Sequence, residues 1–281
     1  MARKPLRELI DERIQEDNLK LPVAHNIALK LQQALRDPKS DAKTMERLIL
    51  EDQALAGQIL KVANSAFFAG LNKVETIQRA LVRLGLKQVA NLAMVATQQA
   101  AYTSKNKMLA SHMEPLWKQS LASAIGCQWI ARRTGFRDRA DEAFLAGLLH
   151  DIGKLLILKV LDEIASEQGN TTQFSAPLIR EILDNMHNEH GHALLMKWNL
   201  PEIYAVIARD HHQETLDPNN VLIAMVRLVD LVCLKIGLEP GESEGIVLAA
   251  TPEAQVLGIS EIHLAELEIL LEDTAQQAIA A

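Results

Sequence analysis

TIQRALVRLGLKQVANLAM, residues 76 to 94, places Ile77, Ala80, Leu81 and Leu84 at the i, i+3, i+4, i+7 spacing of one helical face. Thr76 supplies a capping hydroxyl at the start and Gly85 a stop. The same period resumes at Leu86, Val89, Ala90 and Ala93, and again at Leu222, Met225, Val226 and Val229. Strict period-two alternation is scarce and aromatics are only 4% of the chain, which argues against strands. The expected fold is therefore all-α. Pro22, Pro115, Pro177 and Pro201 stand where periodic segments begin, a position that tolerates a missing N–H, and are read as helix starts. Polarity rises at "TSKNKMLASHMEP" (103–115) and "SEQGNTTQFS" (166–175), which read as loops. The first is expected to divide an N-terminal helical lobe, residues 1–105, from a second lobe, residues 106–281, that carries most of the histidines.

Length and composition bound the function. With 281 residues and 48% hydrophobic content, one large core or two modest ones can be buried. A formal net charge of -7 disfavours a broad footprint for nucleic acid or anionic lipid, because such binding rests on neutralising phosphates. A local arginine cluster at Arg132, Arg133, Arg137 and Arg139 is the one feature favouring nucleic acid. Cys127 and Cys233 are too few for a disulfide framework and read as small buried residues. The opening "MARKPLRELIDERIQ" lacks the apolar stretch of a signal peptide, and no apolar run approaches the roughly 18 residues of a membrane span. The expectation is a cytoplasmic protein with no membrane segment.

The chemistry concentrates between residues 150 and 230. Six of nine histidines, His150, His187, His190, His192, His211 and His212, fall between 150 and 212. In "AFLAGLLHDIGKLLIL" (143–158), His150 and Asp151 sit side by side in an apolar helix, where an ionised carboxylate costs several kcal/mol unless paired or metal-bound. The same holds for Asp230 in "VLIAMVRLVDLVCLKI" (221–236); either a metal or histidine partner, or Arg227 three residues back, would compensate it. Imidazole and carboxylate together suit Mn, Fe, Ni or Zn rather than thiolate chemistry. His190 and His192, two apart on a helix, point to different faces and do not easily serve one site. His25, His112 and His263 are expected to be structural.

These residues resemble a known family. The H-D dipeptide in "LLHDIGK" with the late Asp230 looks like the HD superfamily of helical metal-dependent phosphohydrolases. "LEDQALAGQILKVANSAFF" (50–68) followed by residues 77–94 is similar to the opening of the HDOD domain, an HD-related bacterial signalling module. "HNEHGHALLMKWNLPEIYAVIARDHH" (187–212) fits that family's H-x-x-x-G, L-L-x-x-W-x-L-P and H-H sequence of motifs. The resemblance spans roughly residues 20–235. It implies metal ligands at His150, Asp151, His187, His211 or His212, and Asp230. It also shows a departure: where catalytic relatives place a first histidine, "LWKQSLASA" (116–124) carries Gln119, whose neutral amide is a poor transition-metal ligand.

Two functions follow from the resemblance. One is a signalling module that acts by binding a protein partner, with a partly retained or vestigial metal site. The other is a metal-dependent phosphohydrolase acting on a nucleotide or cyclic nucleotide, in which Lys154, one turn past Asp151, neutralises phosphate charge; a snorkelling, solvated lysine is the plainer reading. Gln119 favours the module, the retained ligands the enzyme. The stretch "HHQETLDPNNVL" (211–222) lacks the glycine-tyrosine-proline signature of the related cyclic-di-GMP phosphodiesterases, so that substrate is not expected. "NSAFF" (64–68) reads as a helix end and core residues, and the amphipathic C-terminal helix as packing on the body or joining a homodimer.

Overall fold

The computed structural model describes residues 4–15, 26–65, 68, 73–167 and 174–277, and among them there are α-helices and short 3-10 turns but no strand. Pro22 and His25 lie outside the described residues, as do residues 66 and 67 of the 64–68 segment. The first helices are α1 (Leu6–Gln15), α2 (Asn26–Ala34), α3 (Ala42–Leu50), α4 (Gln53–Ala63), α5 (Ile77–Leu84) and α6 (Leu86–Gln99). The Thr76 hydroxyl accepts from the Arg79 N–H at the start of α5, and Gly85, at a φ of 82°, ends it, as the sequence predicts. Asn64 closes α4 and ties it to the chain beyond, bonding the Leu60 carbonyl and both backbone groups of Val74. Phe68 packs edge-on against Phe144. Both observations agree with a structural reading of that segment.

The remaining helices are α7 (Lys107–Arg133), α8 (Ala140–Leu149), α9 (Ile152–Glu167), α10 (Ala176–Lys197), α11 (Glu202–Asp210), α12 (Val221–Lys235), α13 (Pro252–Leu257) and α14 (Glu261–Gln277). Helix α7 is the spine, packed by α8, α9, α12 and α14. One continuous apolar core runs from Ile10 to Leu271, so α1 reaches across to α9. The region 103–115 is only in part a loop. Asn106 caps α7 through the N–H groups of Met108 and Leu109, and the helix runs through Pro115, which is interior and not a start. Local polar bonds support this turn: the Ser111 hydroxyl and His112 Nδ1 both bond the Met108 carbonyl. Pro177 and Pro201 do mark the starts of α10 and α11. Cys127 and Cys233 are buried free thiols. Among the described residues no helix is long and apolar enough to cross a membrane. Helix α14 buries Leu264, Leu267 and Leu271 against the body, with α7 and α12 as its main neighbours.

Candidate metal centre

Two glycines explain why His150 and Asp151 sit where they do. His150 closes α8 and Asp151 forms the turn before α9. A side chain at Gly147 would meet the Ser123 carbonyl oxygen of α7 at 2.3 Å, and one at Gly153 would meet the His187 carbonyl oxygen of α10 at 1.9 Å. Only glycine lets the flanking helices come this close, and that crossing carries the H-D turn against α10. The histidines of α11 are placed by the turn at its start. Asn199 takes the left-handed conformation at a φ of 54°, the Leu200 N–H reaches back to the Leu195 carbonyl, and Pro201 opens α11. This turn is the structural content of "LLMKWNLP". It ends with His211 as the C-cap of α11 and His212 beside it.

The structure brings together His150, Asp151, His187, His211, His212 and Asp230 from five helices and their ends. His150 Nε2 lies 3.4 Å from Asp151 Oδ2 and 3.3 Å from Asp230 Oδ1. His187 Nε2 and His211 Nε2 each lie 3.5 Å from Asp151 Oδ1. Candidate ligand atoms of Asp151, His187, His211 and His212, and likewise of His150, His211 and Asp230, lie within 4.8 Å of one another. His211 belongs to both sets. His212 is exposed and tilted on His211 at a ring separation of 4.1 Å, while the other members, except for the slightly open Asp230, are almost wholly buried. Arg227 does not compensate Asp230. It pairs at 2.7 Å with the buried Glu253 and also bonds the Gln213 carbonyl, leaving His150 as the partner of Asp230.

The ring orientation is set from behind. Nδ1 of His150 faces the Gly147 carbonyl at 2.8 Å, Nδ1 of His187 the Leu183 carbonyl at 2.7 Å, and Nδ1 of His211 those of Ile207 and Ala208 at 3.1 Å. A carbonyl only accepts, so each Nδ1 carries the proton and each Nε2 of a neutral ring turns a lone pair to the centre. His150 Nε2, His187 Nε2, His211 Nε2, Asp151 Oδ1 and Asp230 Oδ1 are all buried with no hydrogen-bond partner. Five converging polar atoms without a hydrogen-bond partner, four of them acceptors whatever the state of His150, are costly by themselves and fit a divalent cation, and backbone bonds behind the imidazoles are the usual support of histidine ligands. Burial pushes His187 down to about 3 and His212 down to about 4, so both rings are neutral near pH 7 and able to coordinate. His150 differs. Burial alone would lower its pKa, but Asp230 and Asp151 outweigh burial and hold it well above the ordinary value. A proton on its Nε2 and a metal thus compete for one place.

Lys154 is not a snorkelling lysine. It is buried, 2.7 Å from Asp151 Oδ2 and 3.4 Å from Glu239 Oε1. Burial would favour its neutral form, yet these carboxylates outweigh it and keep the ammonium charged. Glu239 itself was not legible as a site residue, because it lies in a Pro- and Gly-rich connection, "GLEPGESEG" (237–245), that reads as an ordinary turn. Its pKa is raised by burial against the pull of Lys154. The loop carrying Glu239 and Pro240 borders two clefts. One of about 330 Å³ opens onto His211, His212 and Asp230, and one of about 410 Å³ contains Gln119, Lys154 and Arg180. Among the other histidines, His190 pairs with Asp11 of α1 at 3.0 Å, and His263 stacks edge-on against Trp129. Arg139 pairs with Glu142 and Arg133 lies over the Trp129 ring, so two of the four clustered arginines are engaged locally.

The described residues form a helical fold in which an H-D turn faces two further histidine-bearing helices and a late aspartate, the elements on which the resemblance to the HD superfamily rested. The chain belongs to the HDOD family, whose domain model matches residues 21–214. It is similar along 97% of its length to the crystal structure of an HDOD domain protein of unknown function from Geobacter sulfurreducens, with 96% of that chain covered, a TM-score of 0.75 and 23% identity. An uncharacterized protein of Treponema pallidum is 26% identical over 197 residues, covering 68% of this chain and 37% of that one. The cyclic di-GMP phosphodiesterase CdgJ of Vibrio cholerae is 30% identical over 132 residues, 47% of this chain and 29% of that one. The chain therefore spans about a third of the length of these curated relatives.

Proposed function

We propose that this chain is a signalling module of the HDOD family that acts through a protein partner and holds a divalent metal in its second half. The observation that carries the metal reading is the set of five buried polar atoms, on His150, Asp151, His187, His211 and Asp230, that converge without a hydrogen-bond partner. His212 adds a further candidate ligand at the open side. When bound, a metal of the Mn, Fe, Ni or Zn class would supply Lewis acidity and an acidified water there. The chain's own residues support holding over turnover. Lys154 already sits on Asp151, and Gln119 offers an amide in the neighbouring cleft where the catalytic relatives place an imidazole. The division into lobes at residues 105 and 106 belongs to the same reading, with the metal held by the second.

The second reading, hydrolysis of a phosphorylated small molecule with Lys154 neutralising phosphate charge, is favoured by the cleft that opens onto His211, His212 and Asp230 and by the neighbouring one that reaches Lys154. Elemental analysis of the purified chain, run beside phosphatase and phosphodiesterase substrate panels, separates the two. The module reading expects bound metal and no turnover. Turnover that disappears in Asp151→Ala would replace it with the enzyme.

A further inference from the structure

Helix α14 lies beyond residues 21–214, which the family's domain model matches, and it has two apolar faces. One buries Leu264, Leu267 and Leu271 against the body. On the opposite face Ile262 and Ile269, two turns apart, are 73% and 61% exposed, with the exposed Ala265 between them. One stripe is enough to hold a helix to its own body, so a second stripe on the far side answers to something outside it. Charge is divided along the same helix. α14 carries Glu261, Glu266, Glu268, Glu272 and Asp273 and no lysine or arginine, and among the described residues only Glu268 has an ion-pair partner, Lys235 at 2.6 Å. The complementary charge stands at the other end. Trp129 of α7 meets His263 near the start of α14, and a side chain at Gly126, one turn earlier in α7, would meet Leu271 two turns further on, so the two helices run antiparallel. The end of α7 therefore carries Arg132 and Arg133 past the start of α14, with Arg133 5.1 Å over the Trp129 ring. Neither arginine makes an ion pair among the described residues. By the helical period, Glu266 and Asp273 lie on the same flank of the isoleucine stripe as His263, the flank that Trp129 and Arg133 occupy.

We propose that the outer face of α14 is the contact of a homodimer, in which the α14 helices of two copies of this chain pack antiparallel about a two-fold axis. Ile262 of each copy then faces Ile269 of the other. A two-fold that reverses the helix direction keeps each flank on its own side, so Arg133 of one copy meets Asp273 of the other, and the pair forms twice. No such pair forms within one chain, because the ten residues from His263 to Asp273 span about 15 Å of helix. The two Glu266 carboxylates approach each other near the axis, a like-charge contact that limits the affinity. A single pair of 17-residue helices, about 25 Å long, is also a small interface. The dimer is therefore weak and depends on protein concentration. This inference goes beyond the module reading and needs no metal.

The test is sedimentation equilibrium of the full chain in low-salt buffer, from about 5 to about 500 µM, where a monomer–dimer equilibrium is expected. Ile269→Glu should weaken dimerisation by about tenfold or more. Its position is exposed, so it should melt no lower than wild type, and lost association will not be lost folding. Arg133→Glu and Asp273→Arg should each weaken the dimer by about tenfold, since each sets like charges against each other twice. An equimolar mixture of those two variants should dimerise as wild type does, because in the mixed dimer both pairs are again of opposite charge. A chain that stays monomeric to about 500 µM, or a dimer unchanged in Ile269→Glu, overturns the proposal. A mixture that dimerises no better than either variant alone overturns it as well, since Arg133 and Asp273 would then not meet across the interface.

Discussion

Asp151→Ala tests the charge arrangement directly. In wild type the Asp151 carboxylate touches the Lys154 ammonium at 2.7 Å and lies 3.4 to 3.5 Å from three imidazole nitrogens, with Asp151 itself 1% exposed. Its pKa reflects this: burial would raise it, but Lys154 first and His150 next hold it well below the ordinary carboxylate value. Truncation leaves Lys154, 8% exposed, with only the more distant Glu239. Relief of repulsion with Asp230 acts in the other direction, but it ranks below the attraction of His150 for Asp230. Removing one partner of a buried ion pair costs about 3–5 kcal/mol. For a chain of this size about 2 °C accompanies each kcal/mol, so the melting temperature should fall by about 6–10 °C. The assay is thermal unfolding followed by circular dichroism in chelator, so that metal loss does not contribute. The double variant Asp151→Ala with Lys154→Met removes the stranded charge and should recover at least half of the fall. A fall below about 2 °C, or a double variant no more stable than the single one, would refute the reasoning.

Three further outcomes follow from the same geometry. Gly153→Ala puts a methyl group 1.9 Å from the His187 carbonyl oxygen and should destabilise the chain by about 3 kcal/mol or more, read as a lowered midpoint in urea; an unchanged midpoint would mean the helices do not cross as described. Gln119→His should tighten binding of Mn or Ni by about tenfold in calorimetric titration if position 119 reaches the centre, and unchanged affinity would show that it does not. His150 has a raised pKa, so its contribution to stability is full below the unfolded value near 6.5 and is lost as pH rises through the folded value; conversely, metal must displace that proton. Calorimetry at pH 7 in two buffers of different ionisation enthalpy should show about one proton released per metal, and apparent affinity rising with pH; no buffer dependence contradicts it.

Much of this was legible in the chain because period and caps are local signals. Thr76, Gly85 and the apolar repeat between them fold as read, and the H-D pair in an apolar helix correctly marked a buried polar centre that includes Asp230. What failed did so for long-range reasons. Pro115 read as a helix start, but the capping of α7 nine residues earlier by Asn106 and the burial of Leu109, Met113 and Leu116 carry the helix through it. Spacing left Asp230 open to either Arg227 or a histidine or metal, and only the long-range contact of Arg227 with Glu253 of α13 decides between them. Glu239 carried no signal at all, since its role depends on a loop folding back onto Lys154. The depth of Lys154 followed from the same contact.

The central claim is that the converging nitrogens and oxygens hold a metal. Anomalous diffraction from crystals grown with Mn, Fe, Ni or Zn, collected at the absorption edge of each metal, tests it most directly. The account predicts a peak about 2.0–2.2 Å from Nε2 of His187 and His211 and from a carboxylate oxygen of Asp151. No peak inside the centre for any of the four metals, with His150 still bridging Asp151 and Asp230, would contradict it.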